Sequence, residues 1–249
     1  MPETTNTHWR TDRPAEGFYT THLPALAGRP VRTFLPADYQ PRYPYPLVVL
    51  FHGNGGSEES AGRLVPRLSR RNYIGVSLRG PDDLGARADG RRAFGWAGAD
   101  AGETLDYLTA AVEQTRRTYH VHSERVYLVG VAEGAGVAYR AGLALADRVA
   151  GVVALNGQMP KPAGAPLFRL AAVRGFPVLI GHGVANAAVP FAAAERDFRL
   201  LYGAGADARL TGYPTTHKLH PNMLRDVNRW IMGGVTAGSP QPHRTSTFG

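Results

Sequence analysis

The sequence predicts an α/β protein with a doubly wound, mainly parallel sheet covered by helices on both faces, in a three-layer αβα arrangement. Apolar strand-like runs alternate with amphipathic helical segments along most of the 249 residues. The run Leu47–Phe51 is apolar without interruption, which is typical of a strand buried on both faces. The run Val126–Val129 leads directly into a segment that favours a helix.

The remaining elements follow from local patterns. Strands are expected at 17–23, 30–35, 47–51, 73–78, 126–129, 149–156, 177–180 and 208–213. Helices are expected at 57–71, 101–119, 133–146, 189–202 and 222–232, with a short helical patch within 157–176. Residues 82–99 are expected to form a polar, glycine-rich loop. We expect a polar tail at 1–15, one domain at 16–234 and a disordered tail at 235–249.

Composition excludes several classes of site and partner. The chain has no cysteine, which excludes disulfide scaffolds and thiol nucleophiles. Its formal charge of +8 comes almost entirely from scattered arginines, without a nucleic-acid-binding motif, so no nucleic-acid partner is expected. We find no signal peptide and no apolar run long enough to span a membrane. A cytoplasmic protein is expected.

One strand-to-helix turn organises the rest of the sequence. Gly130 and Gly134 stand two residues on either side of Ala132, between the predicted strand and the predicted helix. This pattern resembles the nucleophile elbow, G-x-S-x-G, of the α/β-hydrolase superfamily. The apex of that motif carries a serine, and here it carries Ala132.

Three further segments resemble the same superfamily. His52-Gly-Asn-Gly-Gly56 has the pattern of an oxyanion loop. The segments 182–190 and 213–217 resemble those that carry the triad acid and the triad histidine in the phospholipase/carboxylesterase and dienelactone-hydrolase-like branches. The resemblance places Asn186 at the acid position and His217 at the histidine position. It also implies an oxyanion hole made by the backbone N–H groups of Asn54 and Glu133, with Gly53 in the loop, and no cofactor.

Two of the three triad positions depart from the family. Ala132 has no group to deprotonate or acylate. Asn186 cannot stabilise an imidazolium, and an amide can hold the wrong tautomer of His217. In related triads, loss of the acid costs roughly 10⁴ and loss of the nucleophile roughly 10⁶ in rate. Ester hydrolysis through an acyl-enzyme is therefore excluded.

Other residues offer weak substitutes. The side chain of Glu133 should point away from the apex, and Asn156, at a position where some relatives carry the acid, is another amide. Thr215 and Thr216 are expected to shape a turn, and the pair His217 and His220 has no nearby carboxylate that would complete a metal site. The loop aspartates are not placed by the sequence. They are Asp82, Asp83 and Asp89.

The sequence leaves three functional readings open. The first is a pseudoenzyme that keeps the pocket for a small-molecule or acyl/ester ligand, or keeps the fold as a scaffold. The second is a carboxylic-ester hydrolase with an altered mechanism around His217. The third is an active serine esterase inactivated by substitution at Ala132 and Asn186, since both changes are nearly isosteric.

Overall fold

The computed structural model describes residues 16–23, 26, 29–161 and 170–236. It contains ten strands, of which eight form one sheet. The ten strands are β1 (Gly17–Leu23), β2 (Arg29–Leu35), β3 (Tyr45–Phe51), β4 (Ile74–Leu78), β5 (Asp82–Ala86), β6 (Arg92–Gly95), β7 (Val121–Val131), β8 (Gly151–Leu155), β9 (Pro177–Gly183) and β10 (Asp207–Tyr213).

The large sheet has the order β1-β2-β4-β3-β7-β8-β9-β10. All neighbouring pairs from β4 to β10 are parallel, while β2 is antiparallel to both β1 and β4. The predicted mainly parallel sheet is therefore confirmed. Because parallel strands point the same way, the carboxyl ends of β3, β7, β8, β9 and β10 meet at one edge of the sheet, where ligands bind in open α/β folds.

Within the described residues, six α-helices cover the two faces of the sheet. They are α1 (Glu58–Gly62), α2 (Val65–Leu68), α3 (Ala101–Thr118), α4 (Glu133–Ala144), α5 (Phe191–Gly203) and α6 (Pro221–Thr236). Apolar side chains of α3, α4 and α5 pack in one core cluster, and those of α1, α2 and α6 in another. The expected three-layer αβα architecture is confirmed. Among the helices of the described residues, none combines the length and the apolar character needed to cross a bilayer.

The single helix expected at 57–71 is instead two short helices. Ser57 caps α1 as predicted, with its side chain accepting from the backbone of Ser60. Pro66 lies in the first turn of α2, where a backbone N–H has no acceptor within the helix, so the missing N–H of proline costs no helical hydrogen bond. A continuous helix would have placed that proline in its interior, so the chain breaks between α1 and α2.

The loop expected at 82–99 contains the antiparallel strands β5 and β6. The prediction missed them because β5 is largely exposed and carries no alternating apolar pattern. Gly90, at φ 76°, lies in the turn between the strands, and Gly85, at φ 85°, lies within β5 where the register shifts between Asp83 and Ala86. The hairpin is attached to the rest of the protein by a bridge between Phe94 and Gly56.

The chain ends differ partly from expectation. Helix α6 runs to Thr236, four residues past the expected end at Met232, because Val235 still packs in the core. The predicted tail 1–15 and residues 237–249 of the second predicted tail lie outside the described residues. Within the patch 157–176, residues 162–169 also lie outside them, and a 3-10 helix follows at Leu170–Val173.

Candidate active site

The turn between β7 and α4 has the sharp geometry that the sequence predicts. Ala132 adopts φ 53° and ψ −117°, a backbone conformation that residues with a Cβ rarely occupy. Its N–H donates to Leu155 O at 2.8 Å, and its carbonyl accepts from the N–H of Ala135 at 3.0 Å. Holding an alanine in this conformation costs on the order of 1–3 kcal/mol, so the surrounding contacts must impose it.

The two flanking glycines allow the turn to pack tightly. A Cβ at Gly130 would overlap the carbonyl oxygen of Gly134, and a Cβ at Gly134 would overlap the carbonyl oxygen of Phe51. Both collisions are with backbone atoms, which cannot rotate away as a side chain can. Gly130 and Gly134 are therefore required by close approach of β7, α4 and the end of β3.

The segment His52–Gly56 lies directly against this turn. A Cβ built on Gly53 would stand 3.1 Å from the Cβ of Ala132. Among the described residues, no acceptor is bonded to the backbone N–H groups of Asn54 and Glu133. The fold thus brings the loop expected to form an oxyanion hole next to the apex residue, with both expected donors unused.

The imidazole of His52 fixes the conformation of the loop 52–56. Its Nδ1 lies 2.8 Å from Gly53 O, and its Nε2 lies 2.9 Å from the N–H of Gly80. Since Gly80 N can only donate, Nε2 accepts and Nδ1 carries the proton. Burial lowers the pKa of His52, partly opposed by its bond to Gly53 O. The ring is a neutral structural clamp beneath the loop.

The carboxylate of Glu133 points away from the apex, as expected. Its Oε2 accepts from the backbone N–H of Trp96 at 3.0 Å. The indole of Trp96 in turn donates to His52 O at 3.1 Å, and the ring is buried against Phe51. Glu133 therefore fixes the β5–β6 hairpin to the turn, and Trp96 supports the loop 52–56 from the protein interior.

Asn186 and His217 meet across two loops that follow β9 and β10. Asn186 Oδ1 lies 3.1 Å from His217 Nδ1. The same oxygen accepts from the N–H groups of Ala188 and Val189, both at 3.1 Å. Asn186 is buried, whereas His217 is exposed.

These contacts correct the expectation that Asn186 can hold the wrong tautomer of His217. The two backbone donors require the oxygen of the amide to face them, so the amide cannot be reversed. That oxygen can only accept from His217, which places the imidazole proton on Nδ1. Nε2 of His217 is then free to accept a hydrogen bond. The amide preserves the tautomer that a triad aspartate selects, without its negative charge.

The other side of Asn186 has a less favourable neighbour. Its Nδ2 lies 3.3 Å from His182 Nε2, which lies 2.8 Å from Val189 O. The shorter contact requires His182 Nε2 to donate, so Asn186 Nδ2 faces a nitrogen that already carries a proton. A carboxylate at 186 would find a donor on this side too. Burial lowers the pKa of His182, which favours its neutral form.

Comparison with known proteins shows the family and the fold. Residues 40–233 match the Phospholipase/Carboxylesterase family. The chain belongs to the phospholipase/carboxylesterase family. It is 29% identical over 125 residues to NocK of Nocardia uniformis subsp. tsuyamanensis, whose name proposes an esterase. That match covers 47% of the chain and 34% of NocK, so it spans about a third of that relative.

Solved structures with similar folds include TT1662 from Thermus thermophilus, the carboxylesterase of Bacillus cereus and the esterase PE8. The TM-scores are 0.63, 0.59 and 0.62, at identities of 22%, 21% and 24%. The matches cover 87%, 76% and 82% of this chain, and 98%, 88% and 97% of those chains. At these identities the similarity establishes the α/β-hydrolase fold.

Asn156 lies where some members of the superfamily carry the triad acid, and the sequence indicated no other role for it. In the structure its side chain has a structural role. Asn156 adopts φ 53° at the end of β8. Its Oδ1 accepts from Gly183 N at 2.8 Å, and its Nδ2 donates to the carbonyls of His217 and Lys218, both at 3.1 Å. It contacts the backbone of the histidine loop rather than the imidazole. Its buried amide fastens that loop to β9, a role that only the tertiary contacts reveal.

The other candidate residues serve turns and the hairpin. Thr215 donates to Lys218 O at 3.2 Å, as expected for a turn. His220 Nδ1 accepts from Asn222 N at 3.2 Å and its ring stacks on Tyr213, so it does not pair with His217. Within the described ranges, no group of three or more histidine and acidic side chains could hold a metal ion.

The loop aspartates are likewise occupied within the hairpin region. Asp82 accepts from Gly98 N at 2.8 Å, and Asp83 pairs with Arg92. Asp89 accepts from Arg91 N at 3.2 Å. These contacts stabilise the hairpin, and none of them joins an aspartate to His217 or Asn186.

Proposed function

We propose that this chain is a non-hydrolytic member of the phospholipase/carboxylesterase family, a pseudoenzyme that uses the turn at Ala132 to bind the carbonyl group of a small acyl or ester compound. The observation that carries the proposal is the strained apex at φ 53° and ψ −117°, which presents a methyl group where the family presents a hydroxyl. A methyl group cannot attack a carbonyl or form an acyl-enzyme.

The second missing element is charge. Asn186 Oδ1 selects the Nδ1–H tautomer of His217, but a neutral amide does not stabilise the imidazolium that forms when the ring takes a proton. Loss of this carboxylate in a triad costs roughly 10⁴ in rate. Because the nucleophile is missing as well, restoring either residue alone is expected to recover little.

The remaining groups of the site are suited to binding a carbonyl oxygen. The backbone N–H groups of Asn54 and Glu133 have no acceptor in the described part of the chain, and Glu133 begins helix α4, whose N-terminus carries a partial positive charge. A carbonyl oxygen accepts from such donors. Without a nucleophile or a negative triad acid, the site retains groups that hold an ester without consuming it.

A panel of short-chain aryl esters at high protein concentration tests the proposal. We expect no turnover above background for the wild-type chain, whereas Ala132→Ser with Asn186→Asp gains measurable activity. Ala132→Ser alone should be at least about 100-fold slower than the double variant. Wild-type turnover that disappears in His217→Ala would contradict the proposal. A folded double variant without activity would contradict the ester-binding geometry.

A second candidate is a hydrolase in which His217 activates water directly. It is favoured by the geometry of Asn186, which leaves Nε2 of His217 unprotonated and able to accept from a water molecule. Slow wild-type hydrolysis that does not form an acyl-enzyme and that is lost in His217→Ala would support this candidate.

A further inference from the structure

A cavity lies on the α3–α4 face of the sheet, away from the turn at Ala132. It has a volume of about 130 Å³, and its walls come from α3, from β7 and from the segment that follows α4. Val126, on its floor, precedes Ala132 by six residues of extended chain, which places the cavity roughly 20 Å from the apex. A ligand here would not touch the site described above.

The lining combines an apolar floor with a basic rim. Five of the nine lining residues are aliphatic; they are Leu108, Val112, Val126, Leu145 and Val149. The charged lining residues are Arg116, Arg148 and Glu113. Leu108, Val112 and Arg116 recur at a spacing of four on α3, so they share one face of that helix.

The two arginines keep unused donors. Arg116 donates from Nη2 to Ser123 O at 2.6 Å, while its Nε is buried without an acceptor. In the described ranges, neither Arg116 nor Arg148 forms a salt bridge, and Glu113 forms none either. Burial lowers the pKa of the Arg116 guanidinium, an effect opposed by the charge of Glu113. A buried guanidinium nitrogen without a partner is unfavourable, and an anion would satisfy it.

We propose that this cavity binds a small amphipathic carboxylate, with the apolar body among the aliphatic side chains and the carboxylate on Arg116 and Arg148. A cavity of 150 Å³ lined by aliphatic and aromatic side chains accepts benzene, so about 130 Å³ suits a body of five or six carbons. The planar guanidinium matches a carboxylate through paired N–H donors. The space is too small for a helix or strand of a partner protein.

Titration of the full chain with hexanoate tests this assignment, with 1-hexanol as the neutral counterpart. Methyl NMR spectra locate the binding site, and calorimetry measures its strength. We expect saturable binding with a Kd on the order of 1 mM and shifts concentrated on the methyl groups of the five aliphatic lining residues. 1-Hexanol should bind at least about tenfold more weakly.

Variants separate charge from shape. Arg116→Gln should weaken hexanoate binding about tenfold or more, whereas Arg117→Gln, an exposed neighbour outside the cavity, should change it less than about twofold. Glu113→Gln should tighten binding about two- to threefold by removing a like charge. Val112→Phe fills the cavity and should abolish binding, and it provides a test that does not depend on Arg116.

Three results would overturn the assignment. The first is equal binding of hexanoate and 1-hexanol, and the second is a set of shifts centred on Ala132 and His217 instead of the cavity. The third is unchanged affinity in a folded Val112→Phe variant.

Discussion

The turn at Ala132 and the pair Asn186–His217 lie at the same edge of the sheet but differ in which part of the residue carries the groups that a ligand can meet. At the turn, the useful groups belong to the backbone, so an alanine leaves the geometry and both unused N–H groups in place. At the pair, the useful property belongs to a side chain. Asn186 keeps the acceptor oxygen and the tautomer of His217, and it loses the charge.

The difference shows which parts of a site tolerate substitution. Backbone donors and strained turns are maintained by packing around them and do not depend on the side chain at the apex. Stabilisation of an imidazolium depends on one charged carboxylate, and a nearly isosteric amide lacks that charge. The shape of a site therefore does not by itself show whether the site is reactive.

Gly134→Ala should have the largest effect, because it attacks the backbone packing on which the turn depends. The new Cβ would overlap the carbonyl oxygen of Phe51. We expect a loss of at least about 4 kcal/mol in the free energy of unfolding, or failure to fold, measured by urea denaturation.

Gly136→Ala is the matched control, in the same helix two residues further on. Its Cβ would lie 3.4 Å from Gln158 O, an ordinary contact, and alanine favours helices. We expect a change within about 1 kcal/mol. Equal destabilisation by the two substitutions would mean that close packing at Gly134 does not hold the turn.

Asn156→Ala should have the next largest effect and tests the side that depends on side chains. It removes one hydrogen bond from Gly183 and two to the histidine loop, and it places alanine at φ 53°. We expect a loss of about 2–3 kcal/mol in the free energy of unfolding, together with shifted NMR signals of His217. Asn72→Ala, which removes one side-chain bond to Asn228, should cost about 1 kcal/mol. Unchanged His217 signals in Asn156→Ala would contradict the role of Asn156 in holding the histidine loop on β9.

The pH dependence of stability should show the smallest effect. Burial lowers the pKa of His52 below its ordinary value of 6.5, so near that pH the unfolded chain takes up protons more readily than the folded one. The free energy of unfolding should therefore fall as the pH drops from 7.5 to 5.5, and it should fall less in His52→Gln. His182 contributes with the same sign, and Asp197, whose pKa burial raises, with the opposite sign. Identical slopes for wild type and His52→Gln in urea titrations would exclude this role of His52.

The sequence predicted the sheet well because its strands are short apolar runs separated by turn residues. Leu47–Phe51 lies in β3, and the apolar run before Gly130 lies in β7. Both runs are buried without interruption, which is the burial that their uninterrupted apolar sequence predicts. The prediction from sequence was wrong where the pattern of apolar residues is weak, and where a single residue interrupts a helical pattern. Strand β5 is exposed, so its side chains carry no alternation, and Pro66 divides a segment whose composition suggests one helix.

For the site, the sequence by itself determined which chemical groups the side chains carry. Ala132 has no nucleophile and Asn186 has no charge in any fold. Only the tertiary structure decided how the remaining groups are oriented. The backbone N–H groups of Ala188 and Val189 orient the amide of Asn186 and hence the proton of His217. The role of Asn156 also depends on tertiary structure. Its hydrogen-bond partners in β9 and in the histidine loop are far apart in the chain and meet it only because the sheet brings its strand ends together.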